Sequence, residues 1–305
     1  MSVRLPTHRV DRGDEFLSPG AIGELASAAE AVGFGAVFTT EHPFPGDNWL
    51  AHGGHHALDP LVALAFAAAA TSKIRLHTNL FILAYRNPFL AAKGIATLDV
   101  LSGGRVIIGT GAGYLEDEFT ALGVPFADRG DRTDEAIRAM QAAWTGESVT
   151  WKGEFFQAPG NTMLPVPAQQ PHPVLWIGGN SRRAIRRAVE LGDGWCPFPN
   201  PPRLAKYTKT AVLETSDDLA RELAYATEYA ESIGRTRPLT VVFAPVGLSD
   251  IGTLEQDDGS VIATLEGLAR VGVHWVTVGF PGDTRAKQLA SIERFAPIIS
   301  ATGSL

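Results

Sequence analysis

A chain of 305 residues with 45% hydrophobic content can bury a large core, enough for one α/β barrel or two smaller domains. Its net charge of -7 argues against a nucleic-acid binder, which needs a basic surface to displace counterions, and leaves a small-molecule partner as the expectation. Cys196 is the sole cysteine, which excludes an intrachain disulfide and a cysteine zinc cluster and suits a reducing cytoplasm. The opening "MSVRLPTHRV" has no apolar signal core, and "LVALAFAAAA" is too short to span a bilayer, so a soluble cytoplasmic protein without membrane contact is expected.

Strand-like runs alternate with helix-like ones along the chain. "VRLPT" precedes "SPGAIGELASAAEAVG", "GAVFTT" precedes "DPLVALAFAAAAT", and "KIRLHTNLFIL" precedes "NPFLAAKGIATLDVL". "RVIIGTG" leads to "RTDEAIRAMQAAW", "HPVLWIGG" to "SRRAIRRAVELG", and "DGWCPF" to "LARELAYATEYAESIG". "PLTVVFAPV" with "SVIATLEGLARVG", then "HWVTVGF" with "AKQLASIERFAPII", close the series. Such alternation implies parallel strands with helices outside, and this many units in this length imply a closed (β/α)8 TIM barrel rather than a doubly wound sheet.

Ser18 with Pro19 and Asp59 with Pro60 open two helices, and Gly33 and Gly192 stand at helix C-termini. Between the fourth helix and the fifth strand, residues 149–172 are too many for a plain loop. Gly153 between aromatic flanks suggests a small inserted β-hairpin followed by a proline-rich connector. One domain over residues 1–305 is the economical reading.

"RVIIGTGAGYLEDEF" resembles a dinucleotide fingerprint only superficially. Gly109, Gly111 and Gly113 alternate, Tyr114 stands where the last glycine belongs, and polar sequence follows where an acid-ended strand is required. In a barrel this turn ends the fourth strand, and active sites lie at the C-terminal ends of strands. The residues to inspect are therefore His8, Glu41 with His42, 78–81, 109–113, 178–181 and the turns after strands seven and eight.

Three long motifs, "VFTTEHPF", "ATLDVLSGGRVIIGTGAGYLEDEFTALGVPF" and "VPAQQPHPVLWIGGNSRRAIRRAVELGDGW", make the chain resemble the bacterial luciferase-like flavin oxidoreductases, in particular the branch using the deazaflavin coenzyme F420. The resemblance implies a flavin across the barrel mouth, a hydride passed between it and a small organic substrate, and a homodimer. It implies a cis peptide from Asn79 to Leu80 behind the ring, and cofactor contacts from Thr78, Asn79, Leu80, Gly111 and Ala112. Gly178, Gly179, Asn180 and Ser181 form a strand, a glycine turn and a helix start, where free amides and the helix dipole favour a phosphate. Alternatives are an FMN-dependent monooxygenase fed by a partner reductase, or a flavin carrier without catalysis.

Arg182, Arg183, Arg186 and Arg187 follow, with 182 and 186 on one face and 183 and 187 on another. They read either as a holder for the anionic F420 tail or as a solvated helix face. His42 matches the histidine that moves a proton in deazaflavin-dependent relatives, work that suits an imidazole. Glu41 points to the opposite side of the strand, Trp49 walls the pocket, and His8 belongs to it. Tyr114 replaces the glutamate used as an acid by the family's sugar-phosphate dehydrogenase, and a phenol is a poor acid at neutrality. Glu116, Asp117 and Glu118 read first as complements to a helix dipole. "HGGHH" lacks the spacing of a metal site and reads as a lid; no Gly-x-Ser-x-Gly elbow supports hydrolysis.

Overall fold

The computed structural model describes residues 1–245 and 257–303. Its strands are β1 (Ser2–Arg4), β2 (Ala36–Thr39), β3 (Arg75–Ile82), β4 (Val106–Gly111), β5 (Val149–Lys152), β6 (Gln157–Asn161), β7 (Val174–Gly178), β8 (Gly194–Cys196), β9 (Thr240–Phe243) and β10 (Trp275–Val278). Eight of them close a parallel barrel in the order β1-β10-β9-β8-β7-β4-β3-β2, and β5 with β6 forms a separate antiparallel hairpin. The barrel helices are α1 (Pro19–Val32), α2 (Pro60–Ala70), α3 (Pro88–Ser102), α4 (Arg129–Ala143), α5 (Arg182–Leu191), α6 (Ser216–Ser232), α7 (Asp258–Val271) and α8 (Arg285–Arg294). The (β/α)8 reading of the sequence is correct. The expected seventh strand was drawn to Val246, which lies outside the described residues.

Alternation along the strands decides which side chains face the barrel interior. Val106 and Ile108 pack with the helices, while Ile107 joins Ala36, Trp176, Cys196 and Val242 inside the barrel. Gly109 and Gly111 on β4, and Gly178 two residues beyond Trp176 on β7, continue the inward rows. On β3 the pairing with β4 slips between Thr78 and Phe81, and the Asn79–Leu80 peptide within this irregularity is cis. Leu80 thereby packs with the interior cluster, against Gly178 and Gly111.

Ser18 and Asp59 cap α1 and α2 through their side chains, and Gly33 adopts φ +101 after α1. Gly192 closes α5 for a different reason from the one expected, since its φ is -107. There a Cβ would meet Ile177 at 2.8 Å, so the glycine supplies space rather than a left-handed turn. The last predicted helix is two: α8 ends at Arg294 and Ala296–Thr302 follows, with Pro297 unable to continue the amide ladder. The hairpin is pinned to α4 by Glu135, whose carboxylate accepts from Trp151 Nε1 and from the amides of Glu154, Phe155 and Phe156. Gly153 is required there because any side chain would collide with that carboxylate.

Candidate active site

A cavity of about 460 Å³ opens at the C-terminal ends of the barrel strands. Asn79, Leu80, Gly111, Ala112, Gly178, Gly179 and Ser181 line it, together with His42 and Tyr114. Other members of the expected set stand elsewhere. Thr78 is fully buried and donates its hydroxyl to the Gly109 carbonyl, because its side chain alternates away from the interior. Asn180 is also buried: Nδ2 donates to the carbonyls of Phe198 and Ala211, and Oδ1 accepts from the Phe198 amide. Its side chain is thus spent on bracing the loop after β8 rather than on a ligand. His8 packs edge-on against His55, at 5.5 Å between ring centroids, and does not line the cavity. Trp49 acts one layer back, with its ring 4.3 Å from that of His42.

The interior glycines have a stricter task than admitting a flat ring. A Cβ on Gly109 would stand 2.3 Å from the Thr78 carbonyl oxygen, and one on Gly178 would stand 2.2 Å from Leu80 Cδ1. They make room for β3 and its Leu80, which in turn line the cavity. Gly113, by contrast, needs its left-handed φ of +81 to turn the chain out of β4.

Cations gather where α5 begins. Ser181 Oγ caps the helix by accepting from the Ala184 amide, and first-turn amides of a helix have no intrahelical acceptor. The arginine cluster splits. Arg183 and Arg187 line the cavity, Arg183 paired with Asp131 and Asp134 and Arg187 buried against Asp134. Arg182 lies over the Tyr225 ring and Arg186 donates to the Tyr225 hydroxyl, on the α6 side. Arg129, stacked on Phe126, and Lys209, paired with Glu116 at 2.7 Å, complete the cationic wall.

A second group of side chains surrounds His42. His55 packs edge-on at 4.8 Å, Tyr114 lies at 6.1 Å, and Glu118 Oε1 sits 3.4 Å from His42 Nδ1. Burial and then the Glu118 charge push the Tyr114 phenol up to about 12, which keeps it neutral. Burial pushes His55 down from its usual value. Glu41, beyond the end of β2, pairs its carboxylate with Arg86 and accepts from the Ile82 amide at 2.7 Å, yet it lines the same cavity as His42. Glu118 was undervalued by its sequence position beside Glu116 and Asp117. The available signal was its helical spacing, between Leu115 and Phe119 rather than on the outer face.

The "HGGHH" histidines diverge instead of converging. His52 hydrogen-bonds the Asn48 carbonyl, His55 hydrogen-bonds the His56 carbonyl, and His56 is exposed. Among the described residues, no three His, Cys, Asp or Glu side chains are placed to hold a metal ion.

The family model for luciferase-like monooxygenases matches residues 1–235. The chain belongs to the luciferase-like monooxygenase family. It is an oxidoreductase of that family. An uncharacterized protein of Mycobacterium tuberculosis is 29% identical over 290 residues, covering 91% of this chain and 93% of its own. An F420-dependent glucose-6-phosphate dehydrogenase of Kineococcus radiotolerans is 34% identical over 185 residues, 59% of this chain and 53% of its own. An FMNH(2)-dependent dimethylsulfone monooxygenase of Pseudomonas putida is 34% identical over 128 residues, 41% and 35% respectively. Among solved structures, the monooxygenase RslO1 of Streptomyces bottropensis shares the fold with a TM-score of 0.77 at 22% identity, covering 99% of both chains. Of these relatives, one is named for F420 and another for FMNH(2). Among the described residues no helix is long and apolar enough to cross a membrane.

Proposed function

We propose that the protein binds coenzyme F420 in this cavity and transfers a hydride between it and a small, unphosphorylated organic substrate. The observation that carries the reading is the division of one cavity into two chemistries. The short helix Glu116–Ala121 marks the division, with Glu116 paired to Lys209 of the cationic wall and Glu118 turned to His42. The cationic wall and the start of α5 suit a phosphodiester and the anionic tail that follows it in F420. Leu80, seated on Gly178 and Gly111, supplies an apolar surface against which a flat ring can lie. The buried Thr40 Oγ1 makes no hydrogen bond within the chain, which leaves a polar atom at the cavity for a ligand to engage.

F420 supplies the hydride chemistry when bound. The chain's own part is to orient the ring, to exclude water with Trp49, His55 and Tyr114, and to move a proton at His42. The side chains recorded against the His42 ring are Trp49, His55, Tyr114 and Glu118, a cation-free set that favours an unphosphorylated substrate. The longer match to the F420-dependent dehydrogenase than to the FMNH(2)-dependent monooxygenase favours F420 over FMN. Second copies of the chain would pack on the outer faces of α2 and α3, where Val62, Phe66, Leu90 and Leu101 are exposed, giving a homodimer.

Parallel fluorescence titrations with F420 and FMN at two salt concentrations test the reading. Tighter and salt-sensitive binding of F420 is expected. Preference for FMN would replace hydride transfer by oxygen-dependent monooxygenation with a partner reductase, and binding of neither would remove the cofactor reading altogether.

A further inference from the structure

The first turn of the short helix Glu116–Ala121 sends its acids in different directions. Glu116 is exposed and reaches Lys209, whereas Glu118 is only 4% exposed and lines the cavity. A carboxylate removed from water requires a cation or hydrogen-bond donors. Glu118 Oε1 is buried without a hydrogen bond, and so is His42 Nδ1, 3.4 Å away. Each supplies what the other lacks, an acceptor on one side and an imidazole N–H on the other. Trp49 and His55 pack against the same imidazole, which lines the cavity, and of its two nitrogens it is Nδ1 that is buried without a hydrogen bond.

We propose that Glu118 is the positioning carboxylate of His42: it accepts a hydrogen bond from Nδ1–H and so fixes the tautomer whose Nε2 presents a lone pair to the substrate. This rests on the reading of the cavity as a hydride-transfer site and adds the group that sets the state of its histidine. Which imidazole nitrogen is protonated follows from the hydrogen bond the other one makes. In the oxidative direction His42 Nε2 takes the O–H proton of an alcohol, while F420, where bound, would accept the hydride from the adjoining C–H, leaving a carbonyl compound. Glu118 forms no covalent bond and, as the acceptor at Nδ1, stabilises the imidazolium so produced. The other nearby groups do not compete for the role. Tyr114 presents a neutral phenol with its ring 6.1 Å from the imidazole, and Glu41 is committed to Arg86.

The test uses the full chain without cofactor, carrying 15N-labelled imidazoles, at about pH 8.5 where a free imidazole is neutral. The His42 signals are assigned by their loss in His42→Asn. Nδ1–H is expected in the wild-type spectrum, and Glu118→Gln should move the tautomer ratio towards Nε2–H by at least about fivefold, the worth of one net hydrogen bond. Glu118→Asp, which keeps the charge, should recover part of the preference. A wild-type spectrum dominated by Nε2–H, or a ratio unchanged within about twofold in Glu118→Gln, would overturn the proposal. The wild-type spectrum decides even if a variant does not fold. Failure to bind F420 with His42 still held as Nδ1–H sinks the cofactor reading and leaves the pairing standing; F420 binding with His42 held as Nε2–H does the reverse.

Discussion

Replacing Gly178 by alanine should push the cavity lining into the space proposed for the ring. The added Cβ would lie 2.2 Å from Leu80 Cδ1, 3.1 Å from Cδ2 and 3.2 Å from Cγ. Carbon atoms rest about 3.5–4.0 Å apart, so the Cδ1 methyl must retreat by more than about 1 Å. Gly109 and Gly111 already hold Leu80 closely, with Cβ positions 3.2 and 3.0 Å from its methyls, so the open direction is the cavity. Gly178 does not have a positive φ, and the effect is therefore steric rather than conformational. Overpacking of this kind costs about 1–3 kcal/mol. If about half of that falls on the bound state, F420 affinity drops by about two- to tenfold, because every 1.4 kcal/mol is a factor of ten. Fluorescence titration of Gly178→Ala, with a thermal melt to confirm folding, reads both parts. A folded variant with wild-type affinity would refute the placement of Leu80 against the ligand.

Three further perturbations probe the frame around the site. Asp134→Ala leaves the buried Arg187 guanidinium without its carboxylate, and urea denaturation should show a loss of about 3 kcal/mol or more, with weaker F420 binding. Glu135→Ala removes the acceptor for Trp151 and for three hairpin amides; hydrogen exchange should accelerate across residues 149–161 while the barrel strands stay protected. Burial pushes both His77 and His8 down to about 3 from 6.5, so between those values the unfolded chain binds the proton and the folded one does not. Their contribution to stability is therefore complete above about pH 6.5 and declines as the pH falls, at up to about 1.4 kcal/mol per pH unit for each histidine. His77→Gln should flatten the slope of stability against pH between about 6.5 and 5, and an unchanged slope would contradict this account.

The legible part of the site lay where one residue type has one job. His42, Tyr114, Leu80 and the glycines 111, 178 and 179 line the cavity because they stand at or just beyond the C-terminal ends of strands, and the strands were visible as apolar runs. Thr78 and Asn180 sit in the same motifs yet serve the frame. For Thr78 a single step of alternation decides, and for Asn180 three hydrogen bonds to loops distant in sequence. The four arginines looked like one cluster; helix geometry placed two on the cavity and two against Tyr225.

By itself the sequence determined the strand and helix alternation, the parallel barrel and the family, since these depend on local apolar periodicity and on contiguous motifs. It also marked the places where backbones approach closely, because only glycine leaves room there. Tertiary structure alone decided which charges are neutralised and which face the cavity. Arg187 meets Asp134 across 53 positions and Lys209 meets Glu116 across 93, and no local pattern encodes such distances. The same holds for Glu118, an acid that reads as a helix-dipole complement until closure of the barrel sets it beside His42, 76 positions away, where burial leaves that imidazole as its neighbour.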